Sequence, residues 1–234
     1  MIGMSVLVLR LAGPMQSWCD GSRFLTRQTR KEPTKSGVVG LMASALGRAR
    51  DESVEDLASL EFAVRVDKPG ELVRDFHAAR VRGQKNSMIS NRYYLSDAVF
   101  VVALGGSDDL LADVASALVC PKWPLFLGRR SCPPDFPLVL GLHSESDDVR
   151  EVLRGVPWQA PEWYRQRHCP AELQLVCDGR EGEVCEARAD YPISFDLTKN
   201  RSYGMRPVFT DVIANPDFVD ESHPNVDEHD PMDF

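Results

Sequence analysis

No window of about 18 apolar residues occurs in this sequence, which removes a membrane-spanning helix from its options. The first residues run straight into a strand-like pattern with no cleavage-site signature, so a cytoplasmic protein with no membrane contact is expected. No C-x-x-C pair occurs among Cys19, Cys120, Cys132, Cys169, Cys177 and Cys185. Zinc ligands usually arrive in close pairs, so the even spacing of Cys169, Cys177 and Cys185 beside His168 is a weak hint, and reduced thiols without a metal are expected. A Walker loop would need glycine where Thr29 and Thr34 stand before Lys35. There is no dinucleotide fingerprint, catalytic-triad signature or carboxylate pair, and no cofactor is expected. His143, His168, His223 and His229 form no constellation.

Positive charge is scarce overall but concentrated. Lys and Arg number 27 against 35 Asp and Glu, a formal net charge of -8. The segment from Asp211 to Phe234 has no Lys or Arg and eight acids, which accounts for that whole net charge. Residues 10–50 are the reverse: Arg10, Arg23, Arg27, Arg30, Lys31, Lys35, Arg48 and Arg50 face only Asp20 and Glu32. Two more basic segments follow, Arg74 to Arg92 and Gly128-Arg-Arg130. With Trp18, Phe24, Tyr93 and Tyr94 nearby, these are the ingredients of phosphate neutralisation plus base stacking. A solvated charged face is the simpler account of any one segment alone.

The apolar pattern supplies a frame. Ser5 to Leu11 reads as a core strand, and a small-residue helix runs from a Thr34 or Ser36 cap to Leu46, ended by Gly47. Ser53 opens a short helix to Leu60, and Glu61 to Val66 alternates as a strand. Glu71 to Tyr94 is polar and basic between two core strands and reads as a projecting hairpin with its tip at Val81 to Ser90. Ala98 to Leu104 is a second core strand, Gly105-Gly106 a turn, Ser107 the cap of a helix stopped by Pro121, and Phe136 to Leu140 a strand. The order β-α-β-(hairpin)-β-α-β is the ferredoxin-like plan of an α+β fold: an antiparallel sheet with two helices on one face and the other face free to bind. Residues 142–210 read as a smaller β-rich subdomain or an elaboration of 1–141, and 211–234 as a mobile acidic tail.

Leu9-Arg-Leu-Ala-Gly-Pro-Met-Gln-Ser-Trp18, Pro33-Thr-Lys-Ser-Gly-Val-Val-Gly40, Arg74-Asp-Phe-His77 and Leu127-Gly-Arg-Arg-Ser-Cys-Pro133 resemble, in order and spacing, the CasD family. This Cas5-type subunit caps the 5′ end of the guide RNA in the type I-E CRISPR surveillance complex, Cascade. The match covers Met4 to Gly141 and thins to Ile193-Ser-Phe195 and Arg201 to Val208 beyond. It implies an RRM-like, RAMP-type fold with the hairpin at about 71–94 as a thumb. It also implies a non-catalytic antiviral role in binding the 5′ handle of the CRISPR RNA, contacts with the Cascade backbone and large subunits, and target DNA met only through the complex. Carried over, the handle contacts are Arg23, Arg27, Arg30, Lys35, Arg129 and Arg130, and the thumb contacts Arg74, His77, Arg80, Arg82 and Lys85. On physical grounds, base stacking and the backbone amides of the Gly13 and Gly128 turns are expected to give selectivity. The alternative is a metal-independent ribonuclease of repeat RNA, its acid and base drawn from His77, Lys85, Tyr93 and Tyr94.

Overall fold

The computed structural model describes residues 4–19, 26–80, 87–196, 198 and 201–218. The chain begins with strand β1 (Met4–Ala12), two short strands β2 (Met15–Gln16) and β3 (Thr26–Arg27), helix α1 (Lys35–Leu46) and the single turn α2 (Glu55–Ala58). It continues through β4 (Glu61–Lys68), the hairpin strands β5 (Glu71–Ala79) and β6 (Met88–Ser96), β7 (Val99–Ser107), α3 (Asp108–Val119) and β8 (Val139–His143). The last third holds α4 (Val149–Gly155), α5 (Glu162–Arg165), β9 (Glu172–Asp178), β10 (Glu186–Ser194) and β11 (Ser202–Ala214).

Seven strands form one sheet in the order β10-β11-β9-β4-β7-β1-β8. Every adjacent pair in it is antiparallel. The result is a mixed α/β protein with antiparallel sheets and few helices. β1 and β7 are central and are apolar at almost every position because both of their faces are covered. Leu7, Leu9, Leu11, Val102 and Leu104 point to one side, where Val38, Leu41 and Met42 of α1 and Leu111, Val114 and Leu118 of α3 close over them. Val6, Val8, Val101 and Ala103 point to the other side, against Val149, Val152 and Leu153 of α4 and Trp158. Each fully buried Leu or Phe contributes roughly 1.5–3 kcal/mol.

The face expected to be free for binding is therefore occupied. A helix from the weakly patterned region after Gly141 fills it, fixed by a buried arginine. The Arg65 guanidinium donates to both Asp67 carboxylate oxygens at 2.6 and 2.8 Å. It also donates to the carbonyls of Leu153 and Val156, both at 2.6 Å, and of Pro157 at 3.0 Å. Five N–H groups thus meet five acceptors, and three of those are carbonyls at or just past the C-terminal end of α4, where cations are favoured. Burial pushes the Asp67 carboxyl up, against the pull of Arg65.

Thr34 caps α1 by accepting from the Gly37 N–H, and Gly47, at φ +75°, ends it. Three further expectations shift. Gly105 and Gly106 belong to β7, where they pair with Val6 and Ser5 of β1 rather than turning. The strand expected at Phe136 to Leu140 starts three residues later, because Pro137 has no N–H for a ladder and sits just ahead of it. β11 runs through the expected boundary at 210, Asp211 pairing with Leu175. The strands after 171 extend the same sheet from the β4 edge.

Candidate nucleic-acid interface

A second, smaller sheet gathers the basic segments. β6 is its spine: β5 pairs with it antiparallel from Glu71↔Ser96 to Ala79↔Met88, β2 antiparallel at Met15↔Ser96, and β3 parallel at Thr26↔Asn91 and Arg27↔Arg92. The loop after β1 is held by Trp18. Its ring is fully buried, its backbone N–H donates to Thr29 Oγ1 at 2.8 Å, and its carbonyl accepts from the Arg30 N–H at 2.6 Å. The indole N–H donates to Gln16 Oε1 at 3.0 Å, and Gln16 in turn donates to the Leu11 and Ala98 carbonyls. A Cβ at Gly37 would lie 2.7 Å from the Trp18 ring, so the glycine lets α1 approach this staple.

The turn Leu127 to Cys132 closes on the same loop. The Ser17 N–H donates to the Leu127 carbonyl at 3.1 Å, and the Cys132 N–H donates to the Arg129 carbonyl at 2.9 Å. Gly128 sits at φ +80°, where a Cβ would fall 1.8 Å from the Ser17 oxygen, so both conformation and space demand glycine. The Arg129 guanidinium lies 4.6 Å from the Tyr94 ring centroid, in cation–π range, a contact of roughly 0.5–2 kcal/mol. Its Nη2 donates to the Arg27 carbonyl at 2.9 Å and, at 3.5 Å, to that of Gln28. Burial pushes the Tyr94 phenol up, but hydrogen bonding to Arg129, Ser131 and Arg92 outweighs it and leaves the phenol below its usual value.

Of the residues expected to meet RNA, Arg27, Arg74, His77, Arg80 and Arg130 are exposed. Arg30 is half-buried and 3.8 Å from Glu186, and Arg129 is half-buried in its stack. Arg23, Arg82 and Lys85 lie outside the described residues, as do Phe24 and residues 81–86 of the expected hairpin tip.

Lys35 corrects the expectation. It is 4% exposed, and its ammonium is 2.9 Å from Asp178 and 5.4 Å from the Tyr191 ring, so it holds α1 to the C-terminal strands and is closed to a ligand. Desolvation by burial lowers its pKa against the pull of Asp178. Arg206 completes the cluster, donating to Asp190 at 2.7 and 3.0 Å and to Asp178 at 2.7 Å. The partners lie some 140 residues away in sequence, so the short basic run around Lys35 carried no sign of them.

Of the expected stacking rings, Tyr93 is half-buried on β6 and two are enclosed. Trp18 and Tyr94 are buried and present no ring face, and the Gly128 N–H is already donated to the Phe126 carbonyl at 3.1 Å. The described exposed apolar side chains of the hairpin are Leu72, Val73, Phe76 and Ile89; alternation puts Leu72, Arg74 and Phe76 on one face, with Ile89 joining them opposite Ala78. Arg92, the end of the second basic segment, lies on the spine strand between Arg27 and Asp75, a placement that only the strand register shows. His77 is paired with Asp75 at 2.6 Å. Among the described residues no group of three or more His, Cys, Asp or Glu could hold a metal ion, and no helix is long and apolar enough to cross a membrane.

Fold and site together define an α/β protein of antiparallel sheets with a cationic loop, turn and hairpin joined on one surface. The family model described as CRISPR-associated protein (Cas_Cas5) matches residues 6–209, and the chain belongs to that family. It is 38% identical over 177 residues to the CRISPR system Cascade subunit CasD of Escherichia coli strain K12, a match spanning 65% of this chain and 78% of that protein. Two solved structures are similar throughout. A Cas protein crystal structure gives a TM-score of 0.71 at 38% identity, over 90% of this chain and 95% of the other. A chain of a CRISPR RNA-guided surveillance complex gives 0.74 at 33% identity, over 91% of both chains.

Proposed function

We propose that this protein is the non-catalytic subunit of a Cascade surveillance complex that holds the 5′ handle of the CRISPR RNA. The observation that carries the reading is the 38% identity to a Cascade subunit over most of that protein's length. The geometry supports it: the segments 9–18, 33–40, 74–77 and 127–133 are far apart in sequence, and Trp18, the hairpin and the Gly128 turn bring them to one surface. We read the unit β4-β7-β1-β8, with α1 and α3 as crossovers, as ferredoxin-like, because this strand order and these connections are those of that plan. The hairpin β5-β6 is its thumb. Phosphates meet the exposed Arg27, Arg74, Arg80 and Arg130, and the apolar thumb face suits a neighbouring subunit.

The ribonuclease reading is weaker. Tyr94 is buried beneath Arg129 and closed to a substrate, which removes one of the four groups that reading drew on. Incubating the protein with its own repeat RNA, with and without EDTA, on native and denaturing gels tests both readings. Shifted, intact RNA is expected. A discrete cut that persists in EDTA and vanishes in His77→Ala would overturn the scaffold reading.

A further inference from the structure

Arg129 stands in the family motif and carries a charge in a basic turn, yet its guanidinium is already engaged. One face lies over Tyr94, Nη2 donates to two loop carbonyls, and Nη1 is buried with no hydrogen-bond partner among the described residues. A group so enclosed has little left to offer a phosphate. What it does reach is the backbone at the end of β3, a two-residue strand that among the described residues pairs with β6 alone. Trp18 fixes the loop at Thr29 and Arg30, and the two residues of parallel pairing ahead of it are weak support for Arg27 and Gln28.

We infer that Arg129 and Tyr94 are positioning residues: they clamp the Arg27–Gln28 backbone beside the hairpin, and the RNA meets the cations so placed and not the Arg129 guanidinium. The clamp has a further effect. Parallel pairing sets Arg27 directly beside Arg92 on one pleat, and like charges in that position repel. Asp75, across from Arg92 on β5, is already engaged with His77 at 2.6 Å. An anionic strand lying along β3 relieves the repulsion, so the clamp holds open a place for a phosphate that the loop alone would not keep. The inference rests on the RNA-binding reading for its purpose, but its structural half can be tested without RNA.

The experiment is backbone hydrogen exchange on the free, full chain, paired with repeat-RNA binding at several salt concentrations. Arg129→Ala and Tyr94→Leu are each expected to speed exchange at residues 26–30 by roughly tenfold while β1 and β7 exchange at the wild-type rate. The double variant should bind RNA no worse than either single one, since both break one joint. Arg129→Lys should not rescue, because an ammonium cannot stack and bond two carbonyls as the planar fork does. Arg130→Ala should leave exchange unchanged and lower RNA affinity. If Arg129→Ala left exchange at 26–30 untouched yet cut affinity and salt dependence as Arg130→Ala does, Arg129 would be a phosphate contact and the clamp would be wrong. Should Arg129→Ala unfold the chain, Tyr94→Leu, which removes the ring beneath the guanidinium and leaves Arg129 in place, decides the same question by the same readout. A wild-type chain that bound no repeat RNA would sink the functional reading and leave the exchange result to judge the clamp.

Discussion

Two sets of cations in this protein differ in what surrounds them and hence in what they do. Lys35, Arg65 and Arg206 are enclosed, each facing carboxylates within 3 Å, and they hold elements of the fold together. Arg27, Arg74 and Arg130 are of the same charge, some only a few residues away in sequence, and stand in solvent. Lys35 and Arg27 are eight residues apart, on the same basic segment, and only one is available to a ligand. The difference teaches that a run of positive charge reports nothing about role until the acids that neutralise it are located.

The comparison is broken most forcefully at its buried end. Arg65→Ala leaves Asp67 charged and unpaired and three carbonyls without donors. A loss of about 3–5 kcal/mol is expected, read as a fall in the denaturant midpoint. A loss within experimental error would mean α4 is not anchored by this residue. Lys35→Met should cost less, about 1–3 kcal/mol, because Asp178 keeps Arg206 and the Phe62 N–H. Its RNA affinity per folded molecule should stay at the wild-type level, and a selective loss of RNA binding would return Lys35 to the interface.

At the exposed end the signs reverse. Arg130→Ala should leave the unfolding midpoint unchanged, weaken RNA binding by about 1 kcal/mol, and lower the slope of log K against log salt by about 0.7 to 1. A shifted midpoint with an unaltered slope would make Arg130 structural.

The smallest effect concerns Asp148, which caps α4 and pairs with Arg180 at 2.9 Å. Its hydrogen bonds to Arg180 hold its pKa down at about 2, opposed by burial. The folded value lies below the unfolded one, so this increment is full above about pH 4 and fades as pH falls toward 2. Asp148→Asn keeps a cap but loses the pair. Its thermal midpoint should sit slightly below wild type at pH 7 and converge with it near pH 2. A gap of constant size across that range would rule out the charge as its source.

Local signals carried much of the frame. Thr34 and Gly47 bound α1 because capping is decided within a few residues, and the alternation of 61–66 and the polar run of 71–94 announced a strand and a hairpin. The second covered face was written in Val6 and Val8 beside Leu7 and Leu9, since a strand apolar at every position has two faces to bury. Reading it as one-sided was the error. The partners of Lys35, the burial of Trp18 and Tyr94, and the engagement of Arg129 were not legible, because each depends on residues brought in by tertiary pairing. Asp178, Asp190 and Arg206 show no motif in sequence, and their role comes only from the register of β9, β10 and β11 beside α1.

The backbone N–H of Lys35 donates to Asp190, 155 positions later. During synthesis, β1, α1, β4 and β7 emerge early, whereas Lys35 at the start of α1 finds Asp178 only once β9 has left the ribosome and Asp190 only once β10 has. Until then the Lys35 ammonium has neither of these carboxylates to face. The growing chain thus has the apolar cluster around α1 and α3 to hand before Leu173, Leu175 and Ile213 complete the one around α4 and before Asp178 and Asp190 meet Lys35, and only then is the arrangement of cations described above in place.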